Sequence, residues 1–203
     1  MKPLTLWQIE MLPWCAFAAY WAISALRVKR TKSAEKAPDR LATLALMMLA
    51  FMLLFSERWS IGPLRLRFIP RDERIAWAGI VLTSIGVGIA IWARYCLGQF
   101  WSARVTLKEG HQLIRSGPYA FVRHPIYTGM LLAVAGTALV VGEWRAVLAV
   151  VLVLAAHWRK ALREEKMLTT EFGEEYARYR RSTGFLFPRL RSSVGIDTDQ
   201  GHS

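Results

Sequence analysis

Apolar residues in this chain come in long blocks parted by charged ones, and they lack the alternating spacing that lets a water-soluble fold cover its core. A membrane-crossing helix takes about 20 mostly apolar residues. Five blocks read this way: residues 4–26, 41–55 (just long enough when 56–61 is added), 74–97, 126–141 and 144–158. The first carries Gln8 and Glu10 near one end and Pro13 inside; a spanning helix tolerates proline where neighbours satisfy the freed carbonyl. So few residues precede this block that Glu10 is expected at the interface. Gly79, Gly86 and Gly88 in the third block, and Gly129, Ala133 and Gly136 in the fourth, make faces on which helices can approach closely. Only Gly142 and Glu143 separate the last two blocks, so these must fold back as an antiparallel hairpin.

The fifth block does not end at a breaker. It continues from His157 through Arg159, Lys160, Arg163, Glu164 and Glu165 with no Gly or Pro, so the helix is expected to run on into water. Phe172, Tyr176 and Tyr179 recur at helical spacing as an amphipathic face, and Gly173 is placed to cap one helix before a second short one. Residues 27–40 read as an exposed loop, 62–70 as a short interfacial loop, 98–125 as a long polar stretch, and 192–203 as a disordered tail. The expected fold is therefore all-α: a single polytopic membrane domain over 1–191 with about five transmembrane helices, plus a C-terminal helical segment outside the bilayer.

Charge adds the orientation. The net charge is +12. No soluble module remains to read nucleic acid once the spans are removed, so the partner implied is the lipid bilayer, whose anionic headgroups meet the basic loops. With five crossings, loops one and three share a side with the C-terminus, and that side holds 20 of the 27 Lys and Arg. The positive-inside bias then predicts an N-out, C-in protein of the cell inner membrane. Cys15 and Cys96 lie in or beside apolar blocks and read as packing residues, and no metal-ligand spacing is present.

Two polar constellations fall on the basic side. One runs from His111 to Gly129 and leads into the fourth block; Gly117-Pro118 makes a turn, and Pro125 suits the first turn of a helix, which leaves Arg123 and His124 at a helix N-terminus suited to anions. The other is the Arg159–Glu165 run, where a spacing of four puts Lys160 and Glu164 on one face. Each alone reads equally well as an interfacial anchor or a surface ion pair. The hairpin brings them together, so that a His, a Tyr, basic groups and two carboxylates surround one cleft at the membrane surface.

Gly-Pro-Tyr…Val-Arg-His-Pro-Ile-Tyr-Thr-Gly over 117–129, followed by Glu-Glu…Phe-Gly-Glu-Glu-Tyr-Ala-Arg-Tyr over 164–179, resembles the isoprenylcysteine carboxyl methyltransferase family. These are integral membrane methyltransferases that use S-adenosylmethionine. The resemblance covers about half the chain, from 95 to 190. It implies cofactor contacts from His111, Gln112, Leu113, Ile114, Tyr119, His124, Pro125, Ile126, Tyr127 and Glu164, and a lipid-like or prenylated substrate. The family's substrate-facing Arg lies one turn before the first Glu; here that position is Lys160, flanked by Arg159 and Arg163. Phospholipid N-methyltransferases and membrane sterol reductases share parts of the Arg-His-Pro motif, so an amine methyltransferase and a nicotinamide-dependent reductase stand as alternatives, beside a non-catalytic lipid-binding protein.

Overall fold

The computed structural model describes residues 4–25, 31–34, 37–98, 106–108 and 113–189. Within them are five α-helices: α1 (Leu6–Ala25), α2 (Ala37–Phe55), α3 (Glu73–Leu97), α4 (Pro125–Val141) and α5 (Trp144–Ser182). The apolar blocks predict the first four helices to within a few residues, because three of those blocks run up to a charge or a Gly and the second stops at Ser56. Two of the helices, over Pro38–Phe55 and Glu73–Leu97, are long and apolar enough to cross a bilayer; Pro125–Val141 is apolar but shorter. Large apolar side chains point outward along helical stripes, such as Trp77, Val81, Ile85 and Trp92 on α3. That is the pattern of helices solvated by lipid.

One addition to the all-α expectation lies in the loops. Thr31–Ala34 (β1) pairs antiparallel with Thr106–Lys108 (β2), joining the first loop to the long polar stretch. Segments this short carry no periodic signal in the sequence.

α3 and α4 pack most intimately. A Cβ on Gly86 would collide with the Ala133 backbone, and one on Gly136 would meet the Gly79 carbonyl, so only glycine allows this approach. Gly88 takes no part: a Cβ there would meet nothing. Glu10 also departs from expectation. It is fully buried, and one carboxylate oxygen accepts hydrogen bonds from Thr83 (2.9 Å) and Thr137 (2.5 Å). Trp14 donates to the same Thr137 hydroxyl (3.0 Å), so α1, α3 and α4 share one polar node. Polar glue of this kind holds helices together where lipid supplies no hydrophobic drive; the hydroxyls of α3 and α4 draw Glu10 inward, away from the interface.

The hairpin is present. Gly142 closes α4 in the left-handed region (φ 68°), where a side chain would be strained, and α5 starts two residues later. α5 then continues to Ser182 as two helical stretches joined at a kink at Gly173 (φ 48°), the capping position expected from the sequence. The chain next returns to the start of α4: Arg123 N–H donates to the Gly184 carbonyl (2.9 Å), His124 N–H to that of Phe185 (3.3 Å), and the Thr128 hydroxyl to that of Leu186 (2.6 Å).

Candidate active site

The site forms where the N-terminus of α4 meets the stretch of α5 just past its apolar half. His124 caps α4 and Pro125 takes its first position, where the missing N–H costs nothing. His124 is nearly buried, with Nδ1 3.4 Å from Glu164 and Nε2 3.5 Å from Glu165. The Tyr127 hydroxyl donates to Glu164 (2.5 Å). Three rings lie almost parallel: His124 on Tyr127 (centroids 5.5 Å apart) and Tyr127 on His157 (4.7 Å). The Lys160 ammonium stands 5.5 Å from the Tyr127 ring centroid, and Phe185 closes the far side of His124 edge-on at 5.1 Å.

Two carboxylates in a row work differently. Glu165 is locked: Arg123 Nε donates to it (2.5 Å), and Arg180 approaches its other oxygen at 3.5 Å. Burial alone would raise its pKa, but His124 and Arg123 outweigh burial and hold it down to about 2. Glu164 has the looser setting, with a side chain about one-fifth exposed (21%) and, among the described residues, Tyr127 and His124 as its nearest polar partners. Its pKa is also depressed, burial being overcome by His124, Lys160 and Tyr127. For His124 burial favours the neutral ring, yet the two glutamates prevail and raise its pKa. The cluster thus holds two carboxylates as anions around an imidazole inclined to be charged. Such grouping of perturbed groups is typical of functional sites.

The other residues expected at the site divide by position. Tyr119 is buried in a single 3-10 turn (Gly117–Ala120), and its carbonyl accepts from the Tyr179 hydroxyl (2.7 Å). Its own phenol is pushed well up by burial and, next, by the nearby Glu164. Ile126 packs with Tyr127, Ala161 and Leu186. Leu113 and Ile114 are half-buried; His111 and Gln112 lie outside the described residues. Of the basic trio, Lys160 alone stands beside the cluster among the described contacts. Arg159 is exposed, and Arg163 turns to α2, where it meets Asp39 (3.0 Å) and Thr43 (2.9 Å).

A family model described as phospholipid methyltransferase matches residues 75–175. The match covers just under half of the chain and makes it similar to the phospholipid methyltransferase family. The match runs from α3 through α4 and most of α5, so it spans both halves of the cluster. Similar proteins include the cobalt-zinc-cadmium resistance protein CzcN of Cupriavidus metallidurans (28% identical, over 60% of this chain and 56% of the relative). The protein-S-isoprenylcysteine O-methyltransferase of Schizosaccharomyces pombe is 31% identical over 47% of each chain. A probable protein-S-isoprenylcysteine O-methyltransferase of Oryza sativa subsp. indica is 32% identical, over 52% of this chain and 56% of the relative. The chain spans about half the length of these curated relatives. Among the described residues, no group of three or more His, Cys, Asp or Glu is placed to hold a metal ion.

Three features of the site were not legible along the chain. Arg123 and Glu165 were visible in the motifs, but nothing along the chain said they pair across 42 positions. His157 read as one residue of a helix face; only its stacking on Tyr127 brings it to the site. The return of 183–186 onto the start of α4 leaves no periodic trace, because it is a main-chain contact.

Proposed function

We propose that the chain transfers a methyl group from S-adenosylmethionine to a membrane-embedded, lipid-like acceptor, the carboxylate of an isoprenylcysteine-like molecule. The observation that carries this reading is the meeting of the two motifs: Glu164, its side chain one-fifth exposed (21%), is held by Tyr127 and His124, with the Lys160 ammonium on the Tyr127 ring. The donor set fits the cofactor. Glu164 suits a cationic group, and His124 at the N-terminus of α4, whose Nε2 makes no hydrogen bond among the described residues, suits an anionic one. Leu113 and Ile114, both half-buried, are left to pack an adenosine, since both faces of Tyr127 are taken by His124 and His157 and Tyr119 is buried. When bound, S-adenosylmethionine supplies an electrophilic methyl on a sulfonium.

The chain's own part is to position and to exclude water. An acceptor carboxylate is already ionised, so no general base is required, and orientation in a desolvated cleft supplies the acceleration. Lys160 holds the acceptor carboxylate in this reading, with Arg159 and Arg163 flanking it on the helix. The acceptor reaches the cleft laterally from the inner leaflet, the charge bias setting the N-out, C-in orientation in the cell inner membrane.

A phospholipid amine is the second reading, and His157 favours it. A protonated amine must lose a proton before it can attack, and His157 is a buried imidazole on the Tyr127 ring whose Nδ1 makes no hydrogen bond among the described residues.

The test is transfer of labelled methyl from S-adenosylmethionine to a membrane extract by the purified chain, with the product treated with mild base. Volatile, base-labile label marks an ester and the first reading; stable label on lipid marks an N-methyl and the second. No transfer, together with no calorimetric binding of S-adenosylhomocysteine, overturns both.

A further inference from the structure

Beside the site, on the outer face of the α5 end, lies an open depression of about 510 Å³ lined by Arg123, Arg180, Arg181, Arg189, Gly184 and Phe185, among others. Four guanidinium groups line it, and among the described residues the carboxylate that meets any of them is Glu165, on Arg123 and Arg180. Part of this charge has a local use. Arg123 donates to the carbonyls of Thr183 (2.7 Å) and Arg180 (3.3 Å), and Arg189 to that of Arg181 (2.5 Å), so both cap the end of α5. The helix end carries only about half a negative charge. Set against four cations, that half charge and one carboxylate leave an excess of more than two positive charges in one concave place.

We propose that this depression is an anion site, distinct from the cofactor cleft, that takes the phosphate group of a membrane lipid headgroup. Guanidinium forks match phosphate oxygens in pairs, and several converging on one concavity select phosphate over a single carboxylate. The depth argues for the lipid as source. Phe185 lines the depression and meets Trp158 edge-on at 4.9 Å. Trp158 ends the apolar half of α5 and is about half exposed, as is usual for indoles at headgroup level, and Phe187 next to the depression is exposed. Free phosphate has the same chemistry and is the other source to be tested. The inference stands apart from the methyl-transfer reading, since its readout is binding in the absence of cofactor.

The full chain is reconstituted in nanodiscs of phosphatidylcholine alone and of phosphatidylcholine with phosphatidic acid, and its thermal midpoint is measured at constant ionic strength. The same is done in neutral detergent with added inorganic phosphate. A ligand of the native state raises the midpoint. We expect a rise of several degrees with phosphatidic acid, lost in the Arg181→Glu/Arg189→Glu pair and kept in Lys166→Glu/Arg178→Glu, which removes equal charge from exposed positions that do not line the depression. A rise with inorganic phosphate in detergent, lost in the same pair, assigns the site to free phosphate. Should the glutamate pair fail to fold, the Gln versions of both pairs are read in the same way. Equal responses from the two pairs, or no response of the wild type to either probe, overturn the proposal.

Discussion

The two ends of the helix bundle use the same residue types and finish them differently. At the end away from the site, Arg145 lies buried across the turn between α4 and α5. It donates to Glu143 (2.7 Å) and to the carbonyls of Leu53 (2.6 Å), Ser56 (3.2 Å) and Leu54 (3.3 Å). Arg67 donates to the carbonyls of Val141 and Ile69 (both 3.1 Å), and Ser60 to Glu143 (2.8 Å). Every one of these contacts closes a loop or a helix end, whose carbonyls otherwise lack partners. At the other end Arg123 and Glu165 are closed in the same fashion, but among the described residues His124 Nε2 and His157 Nδ1 are buried without hydrogen bonds, and Glu164 stays partly open. Buried polar atoms left unpaired cost about 1–3 kcal/mol each. In the proposed reading these site-end groups, set apart from the Glu10 Oε2 that is also unpaired between the helices among the described residues, are kept for a ligand.

Substitution at the completed end should therefore cost stability and leave binding alone. Arg145→Ala removes the cationic partner of Glu143 and a donor from three carbonyls at once; we expect a loss of about 3–5 kcal/mol, the range for breaking a buried ion pair. Denaturation in detergent measures it, and S-adenosylhomocysteine affinity should not change. A tenfold fall in that affinity would erase the distinction between the ends.

Glu165 belongs to the closed part of the site end, and its signature is pH. Its folded pKa is held from 4.5 down to about 2, so its contribution is present above 4.5 and is lost as pH falls through about 2. A shift of that size in a side chain only 10% exposed corresponds to about 3 kcal/mol. The stability gap between wild type and Glu165→Gln should be full near neutral pH and close in acid. His124 has the opposite sign: its pKa is raised, so what it contributes is present below 6.5 and fades as pH rises through the raised value. A gap for His124→Gln that widens toward alkaline pH would contradict this assignment.

How much of this was legible beforehand depends on the range of the signal. Helix bounds come from local blocks, and the hairpin from a two-residue turn, so both could be read off the chain. The union of Arg-His-Pro with Glu-Glu followed from the hairpin alone. The inward turn of Glu10 was not legible, because its orientation is set by Thr83 and Thr137, 73 and 127 positions away. The sorting of Arg163 from Lys160 was hidden for the same reason: the two are three residues apart on one helix, and only α2, with Asp39 and Thr43, draws the arginine away.

At the open part of the site, effects should move from stability to binding. Glu164→Gln keeps the shape and removes the charge. We expect S-adenosylhomocysteine affinity to fall by about tenfold or more, matching roughly 1.5–3 kcal/mol for a hydrogen bond to a charged group. The thermal midpoint should move little, since Glu164 is the less enclosed of the pair. Unchanged affinity in calorimetry would remove Glu164 from the cofactor's contacts.

The smallest effect is the most telling about the acceptor. Lys160 occupies the position where the isoprenylcysteine carboxyl methyltransferase pattern has arginine, and a lysine grips a carboxylate through a single point charge rather than a fork. Lys160→Arg keeps the charge and restores the fork. With a carboxylate acceptor, KM should fall by about three- to fivefold, roughly 1 kcal/mol of added grip, while kcat and cofactor affinity hold. With an amine acceptor, the guanidinium opposes a cation as the ammonium did, and KM should stay level or rise. Because the substitution leaves Glu164, Tyr127 and His124 in place, a change in KM without a change in S-adenosylhomocysteine affinity reports on the acceptor alone.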